Sequence, residues 1–201
     1  MAKRNAFTLI ELLVVVSIIA LLIGILLPSL KAVRGQARRV TCATQLHQVG
    51  IAMMTYMQDS RDRMPHVSYM PSIDPAPLTT AEPVYFADVL SVGISKQANL
   101  LQCPDDKPGG TDRPIPNVGK SFFESERSSY EYRWGLAGLT PMEFSQRPHG
   151  PPGHPHMHPE QKVSPNTIWF ARDYDNFHGK AGQIGARRYV YIDGHVSDFE
   201  N

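Results

Sequence analysis

Residues 7–30 read FTLIELLVVVSIIALLIGILLPSL, and the interpretation of this one stretch decides the rest of the chain. From Leu9 to Leu27 almost every position is apolar, a run long enough to cross a bilayer as a helix. It is too long and too dense in Leu, Ile and Val for the core of an ordinary secretory signal, and no small-x-small cleavage site follows it. The residues therefore read as a single membrane helix. The short stretch Met1–Ala6 ahead of it is basic, with Lys3 and Arg4, which argues for a cytoplasmic N-terminus. Lys31, Arg34, Arg38 and Arg39 on the far side argue for the opposite orientation, so charge counting alone leaves the topology open.

Helical periodicity continues beyond the apolar run. Val33, Ala37, Val40, Ala43, Leu46, Val49, Met53 and Tyr56 recur three or four residues apart, and Cys42 falls close to the face of Leu46, Val49 and Met53. This predicts one helix from about Thr8 to about Gln58, roughly 75 Å long at 1.5 Å per residue, with its second half presenting an apolar stripe to a globular head. The charged, turn-prone stretch Asp59 to Pro65 should end it.

The remaining chain is polar, with a net charge of +1 for the whole protein and basic residues dispersed except at Lys31 to Arg39, where lipid headgroups would lie. Nothing here points to a nucleic-acid partner. Short strands are expected at Ser129 to Trp134, at Thr167 to Ala171 and in a hairpin near 188–199, where Asp193-Gly194 separates two β-prone runs. Residues 65–83, 104–119 and 141–165 are rich in proline and should hold little regular structure.

Glu11 is the residue that carries most chemistry. A carboxylate inside an apolar helix costs several kcal/mol unless it is partnered. A free amine at Phe7 would serve, and that amine exists only if the chain is cut between Ala6 and Phe7. In a bundle of identical helices the amine of one subunit could neutralise Glu11 of its neighbour and fix their axial stagger. Pro28 removes the helical hydrogen bond to the carbonyl of Gly24, giving a weak spot where the helix can bend or loosen. Cys42 and Cys103, the two cysteines of the chain, read either as one disulfide outside the cytosol or as two separate buried thiols. A bridge would close a long loop and stabilise the fold by roughly 4 kcal/mol.

The segment Ala6-Phe7-Thr8-Leu9-Ile10-Glu11-Leu12-Leu13-Val14-Val15 resembles the processing site of type IV prepilins and type II secretion pseudopilins. The resemblance implies that a membrane prepilin peptidase cuts after Ala6 and methylates Phe7, and that Glu11 and Pro28 serve filament assembly. Alanine stands at residue 6 where the family usually has glycine. Further on, Cys42-Ala43-Thr44-Gln45-Leu46, Leu101-Gln102-Cys103-Pro104-Asp105 and Ser128-Ser129-Tyr130 resemble a group of G-like pseudopilins numerous in planctomycetes. That group carries a C-terminal signature of histidine, nine residues, then Asp-Gly. Asp193-Gly194 fits its end, while 14 residues separate His178 from Asp193, as if residues 182–188 held an insertion.

Two metal readings are weaker. His149, His154, His156 and His158 could bind a transition metal, but they lie in a Pro/Gly-rich loop that offers no rigid frame. Asp173 and Asp175, with Asp193 and Asp198, could offer oxygens to calcium, in a spacing that matches no defined loop. No phosphate loop, nucleophile elbow or acid–base pair appears, so neither an enzyme nor a resident cofactor is expected.

The expectation is an α+β, pilin-like chain. Residues 1–6 form a leader, 7–30 a transmembrane helix, 31–60 its periplasmic continuation and 61–201 a head with a small antiparallel sheet. The resemblance implies an inner-membrane, single-pass protein with a cytoplasmic N-terminus and a periplasmic head. Its partners would be copies of itself or related pseudopilins, the peptidase, an inner-membrane assembly platform and membrane lipid. Two rivals remain: a monomeric, anchored binding domain, and a membrane-tethered metalloenzyme using the histidine loop.

Overall fold

The computed structural model of the chain describes residues 9–68, 83–91, 99–109, 119–146, 164, 167–178 and 186–198. The first element, α1, is an unbroken helix, Leu9–Asp59, and the chain divides into two compact units, one ending at Val40 and one beginning at Thr41.

In the first unit, every large apolar side chain from Leu9 to Leu30 is at least 44% exposed. This is the one helix, among the described residues, long and apolar enough to cross a membrane. The two serines in the run turn inward on their own backbone: Ser17 Oγ donates to Leu13 O at 2.7 Å and Ser29 Oγ to Leu26 O at 2.8 Å. Each hydroxyl is thereby satisfied without water, as a lipid environment requires. Pro28 lies inside the helix, which runs on past it to Asp59.

The second unit is built on residues 41–59 of α1. Cys42, Leu46, Val49, Ala52, Met53 and Met57 are buried there, as the three-and-four spacing predicts. Ser60 N and Asp62 N close the helix onto Tyr56 O and Met57 O, and Arg61 and Asp62 adopt positive φ, turning the chain sharply. Against this helix packs a four-stranded antiparallel meander, in spatial order β1 (Tyr130–Tyr132), β2 (Trp169–Asp173), β3 (Tyr189–Tyr191) and β4 (Val196–Ser197). Tyr130, Tyr132, Phe170, Ala171, Val190 and Tyr191 are buried on the sheet, and all but Tyr191 share one core cluster with the buried face of α1. Glu131 and Arg172 are paired across β1 and β2, with Arg172 Nε donating to Glu131 Oε2 at 2.9 Å.

Two strand boundaries differ from the sequence expectation. β1 stops at Tyr132, because residues 134–136 turn into a short 3-10 helix. β2 extends to Asp173, and an irregularity between Trp169 and Ala171 shifts its register against β3, letting consecutive residues 168–171 all be buried. Three short helices are also additions: α2 (Phe86–Leu90), α3 (Phe122–Glu126) and α4 (Pro141–Ser145). The last is a single short helix at the start of the proline-rich stretch 141–165. Thr140 and Glu143 form a reciprocal capping box and Pro141 occupies the first turn, where its missing N–H costs nothing. Residues 147–163 lie outside the described residues.

Candidate functional site

Two places in the chain hold the residues that the sequence singles out. The first is the start of α1. Ala6 and Phe7 lie outside the described residues, whereas Glu11 sits in the first turn of α1 among exposed Leu9, Ile10, Leu12 and Leu13. An acidic side chain near a helix N-terminus is favoured by the exposed N–H groups there, and a cationic terminus would add to that field. Apolar residues flank Glu11 on both sides, and it is the one charged side chain between Leu9 and Leu30.

The second is a buried cluster around a disulfide. Cys42 and Cys103 are bridged, with Cα atoms 5.4 Å apart, which resolves the pair in favour of the disulfide. Both are at most 1% exposed. Cys42 is carried by α1 and Cys103 by the turn before Pro104, and Gln45, one helical turn after Cys42, seats that turn. Its Nε2 donates to Asn99 O at 2.8 Å and Gln102 O at 3.0 Å, while its Oε1 accepts from the Tyr130 hydroxyl at 2.8 Å. Cys103 N in turn donates to Ser129 Oγ at 3.0 Å.

His178 closes the cluster. Its Nε2 lies 3.8 Å from Cys103 Sγ and 3.6 Å from Asp173 Oδ2, and its Nδ1 lies 3.3 Å from Asp105 Oδ2. Burial pushes the Asp173 carboxyl up to about 8, against the hydrogen bond from Arg188 N and the nearby charges of Arg188 and Arg187, which draw it down. The neighbouring carboxylates Asp105 and Asp106 serve different partners. Asp106 accepts from Phe122 N, Phe123 N and the Ser129 hydroxyl, at 3.1, 2.8 and 2.7 Å, and so anchors α3 to β1. Asp105 faces His178. Sequence reading misses this because Cys103 and His178 are 75 positions apart and nothing local marks their meeting.

Asp193 and Gly194 form the β3–β4 turn. Asp193 Oδ1 accepts from His195 N at 3.1 Å, and Gly194 has φ 84°. The turn lies against α1: His47 Nδ1 is 2.9 Å from Gly194 O, and a Cβ on Gly50 would come 3.3 Å from Gly194 Cα and 3.1 Å from Val190 Cγ2. Gly194 is thus needed for its backbone conformation, whereas a Cβ there would meet only the flexible end of Met54, which can shift. Gly194→Ala should lower head stability by about 1–3 kcal/mol in urea unfolding, mostly from the strained φ.

The other metal readings fare differently. His149, His154, His156 and His158 lie outside the described residues. Asp175 accepts from Asn176 N, and Asp198 pairs with Arg188 at 3.2 Å, so these carboxylates and Asp173 do not converge as a calcium cage among the described residues. The group whose ligand atoms do converge there is Cys42, Cys103 and His178, all within 4.8 Å of one another.

Comparison with known proteins bears on the first place. Residues 1–27 match the family model described as the prokaryotic N-terminal methylation motif. The matched span includes Ala6, Phe7 and Glu11; Pro28 and the Asp193-Gly194 turn lie beyond it. No curated protein and no solved structure matches the chain. The N-terminal segment is therefore prepilin-like, the kind that a prepilin peptidase processes, and it supports a membrane-anchored, pilin-like precursor.

Proposed function

We propose that this chain is a structural, non-enzymatic subunit of a pseudopilus-like filament of the type II secretion kind, cut after Ala6 and assembled through its N-terminal helix. The observation that carries the proposal is the methylation motif over residues 1–27 joined to a helix whose apolar side chains, Leu9 to Leu30, are exposed throughout. A helix apolar on all sides is stable in lipid or in a bundle of like helices, and the same surface serves both states. The peptidase cut converts one into the other by creating the Phe7 amine that Glu11 of a neighbouring copy can meet. The head keeps its own core through residues 41–59 and the meander, so loss of the leader leaves it intact. In this reading the N-terminus faces the cytoplasm until processing, the head lies in the periplasm, and an inner-membrane platform feeds subunits into the filament.

Quantitative proteomics of the culture medium, from cells with and without this chain, tests the secretion role. The expected result is loss of a defined set of exported proteins. An unchanged medium together with lost surface fibres would place the chain in a pilus instead. An unchanged medium with no fibres in either strain would favour the anchored, monomeric binding domain.

A further inference from the structure

We infer that the buried cluster of Cys42, Cys103 and His178, beside Asp173, is a zinc site in the dithiol form of this chain, closed by formation of the disulfide. The inference does not depend on the filament reading.

A tetrahedral zinc ion with Zn–S near 2.3 Å and Zn–N or Zn–O near 2.0–2.1 Å sets its ligand atoms about 3.4–3.8 Å apart. The cluster already has such spacings: Cys103 Sγ to His178 Nε2 is 3.8 Å, and His178 Nε2 to Asp173 Oδ2 is 3.6 Å. Two thiolates and one imidazole supply three ligands, and the Asp173 carboxylate, 3.6 Å from His178 Nε2, stands beside the fourth position. The orientation of His178 also fits. Its Nδ1 lies 3.3 Å from Asp105 Oδ2 and its Nε2 3.8 Å from Cys103 Sγ, so the ring presents Nε2 to the bridge.

A second, independent observation comes from Asp173. It is fully buried, and although its Oδ2 accepts from Arg188 N, its Oδ1 has no hydrogen-bond partner. A carboxyl oxygen buried in that way is costly unless something cationic completes it.

The chemistry balances without a resident cofactor. A newly made chain carries two thiols, and zinc binding releases one proton from each. Disulfide formation then transfers two electrons from the two thiolates to an external protein disulfide, which leaves as two thiolates while zinc departs. In the dithiol form the ion would hold α1, the 99–106 turn and the 173–178 segment together until the covalent bridge takes over.

The test is cobalt titration of the full chain in detergent, reduced with a phosphine, against the same chain oxidised. Thiolate-to-cobalt charge-transfer absorption reads sulfur ligation and ignores ions held by histidines alone. The expected result is a band saturating at one cobalt per chain, bleached by zinc, absent from the oxidised chain and from the Cys42→Ser/Cys103→Ser variant. His178→Ala should weaken binding at least about tenfold, and Asp105→Asn by a similar factor through loss of the outer partner. His178→Cys, which keeps a ligand at that place, should retain a saturating band. No band from the reduced wild-type chain, whether or not it stays folded, overturns the inference. So does wild-type affinity in both His178→Ala and Asp173→Asn.

Discussion

Glu11→Ala should leave the chain in the membrane and processed, yet abolish its assembly into filaments. Glu11 stands in the first turn of α1 between apolar neighbours that are themselves exposed, so in a helix bundle it would be enclosed by lipid and by other helices. Breaking an ion pair in such surroundings costs about 3–5 kcal/mol, because the remaining charge is stranded. Here the stranded charge would be the Phe7 amine of the neighbour. At 1.4 kcal/mol per tenfold, that loss lowers the association constant by more than about a hundredfold per contact. Glu11→Gln, which keeps the hydrogen-bonding shape without the charge, should assemble weakly. Sedimentation of detergent-free membranes with cysteine crosslinking between neighbouring helices reads the assembled fraction. Assembly of Glu11→Ala at the wild-type level would sink the pairing.

The second large effect belongs to the disulfide. Cys42 and Cys103 are 61 residues apart and tie α1 to the turn that leads into the sheet network. In the chain-entropy view, closing a loop of that length stabilises the fold by about 4 kcal/mol. Cys42→Ser/Cys103→Ser should therefore lower the unfolding free energy of the head by about that amount, read as a shift of the urea midpoint with an unchanged slope. Serine hydroxyls at two buried positions add to the cost, so Cys42→Ala/Cys103→Ala is the cleaner companion. A midpoint within about 1 kcal/mol of wild type in the alanine pair would show that the bridge contributes little.

The sequence made the long-range frame legible where the signal was periodic or covalent. The apolar run from Leu9 to Leu27 and the three-and-four spacing through Met53 marked one helix and its buried face, because helix geometry repeats within a few residues. Asp193-Gly194 marked the hairpin for a similar local reason, and a lone pair of cysteines has few alternatives. What stayed hidden is what depends on distant residues meeting. The capping box Thr140–Glu143 was obscured by the surrounding prolines, although its spacing was there to be seen. His178 was noticed only for its separation from Asp193, whereas its physical role is set by Asp105, Cys103 and Asp173, reached through the turn of the sheet. The Asp193-Gly194 pair was legible as a turn, while its docking on Gly50 and Met54 was not, since no local pattern says which face of a hairpin a helix will cover.

The central claim is that the chain is a processed, pilin-like precursor, and the mass of its mature N-terminus tests that most directly. Intact-protein and N-terminal peptide mass spectrometry of the chain, purified from cells with an active prepilin peptidase, should find a chain lacking Met1–Ala6 and beginning at N-methylated Phe7. A chain that still begins at Met1, unmodified at Phe7 in the presence of that peptidase, would contradict the account.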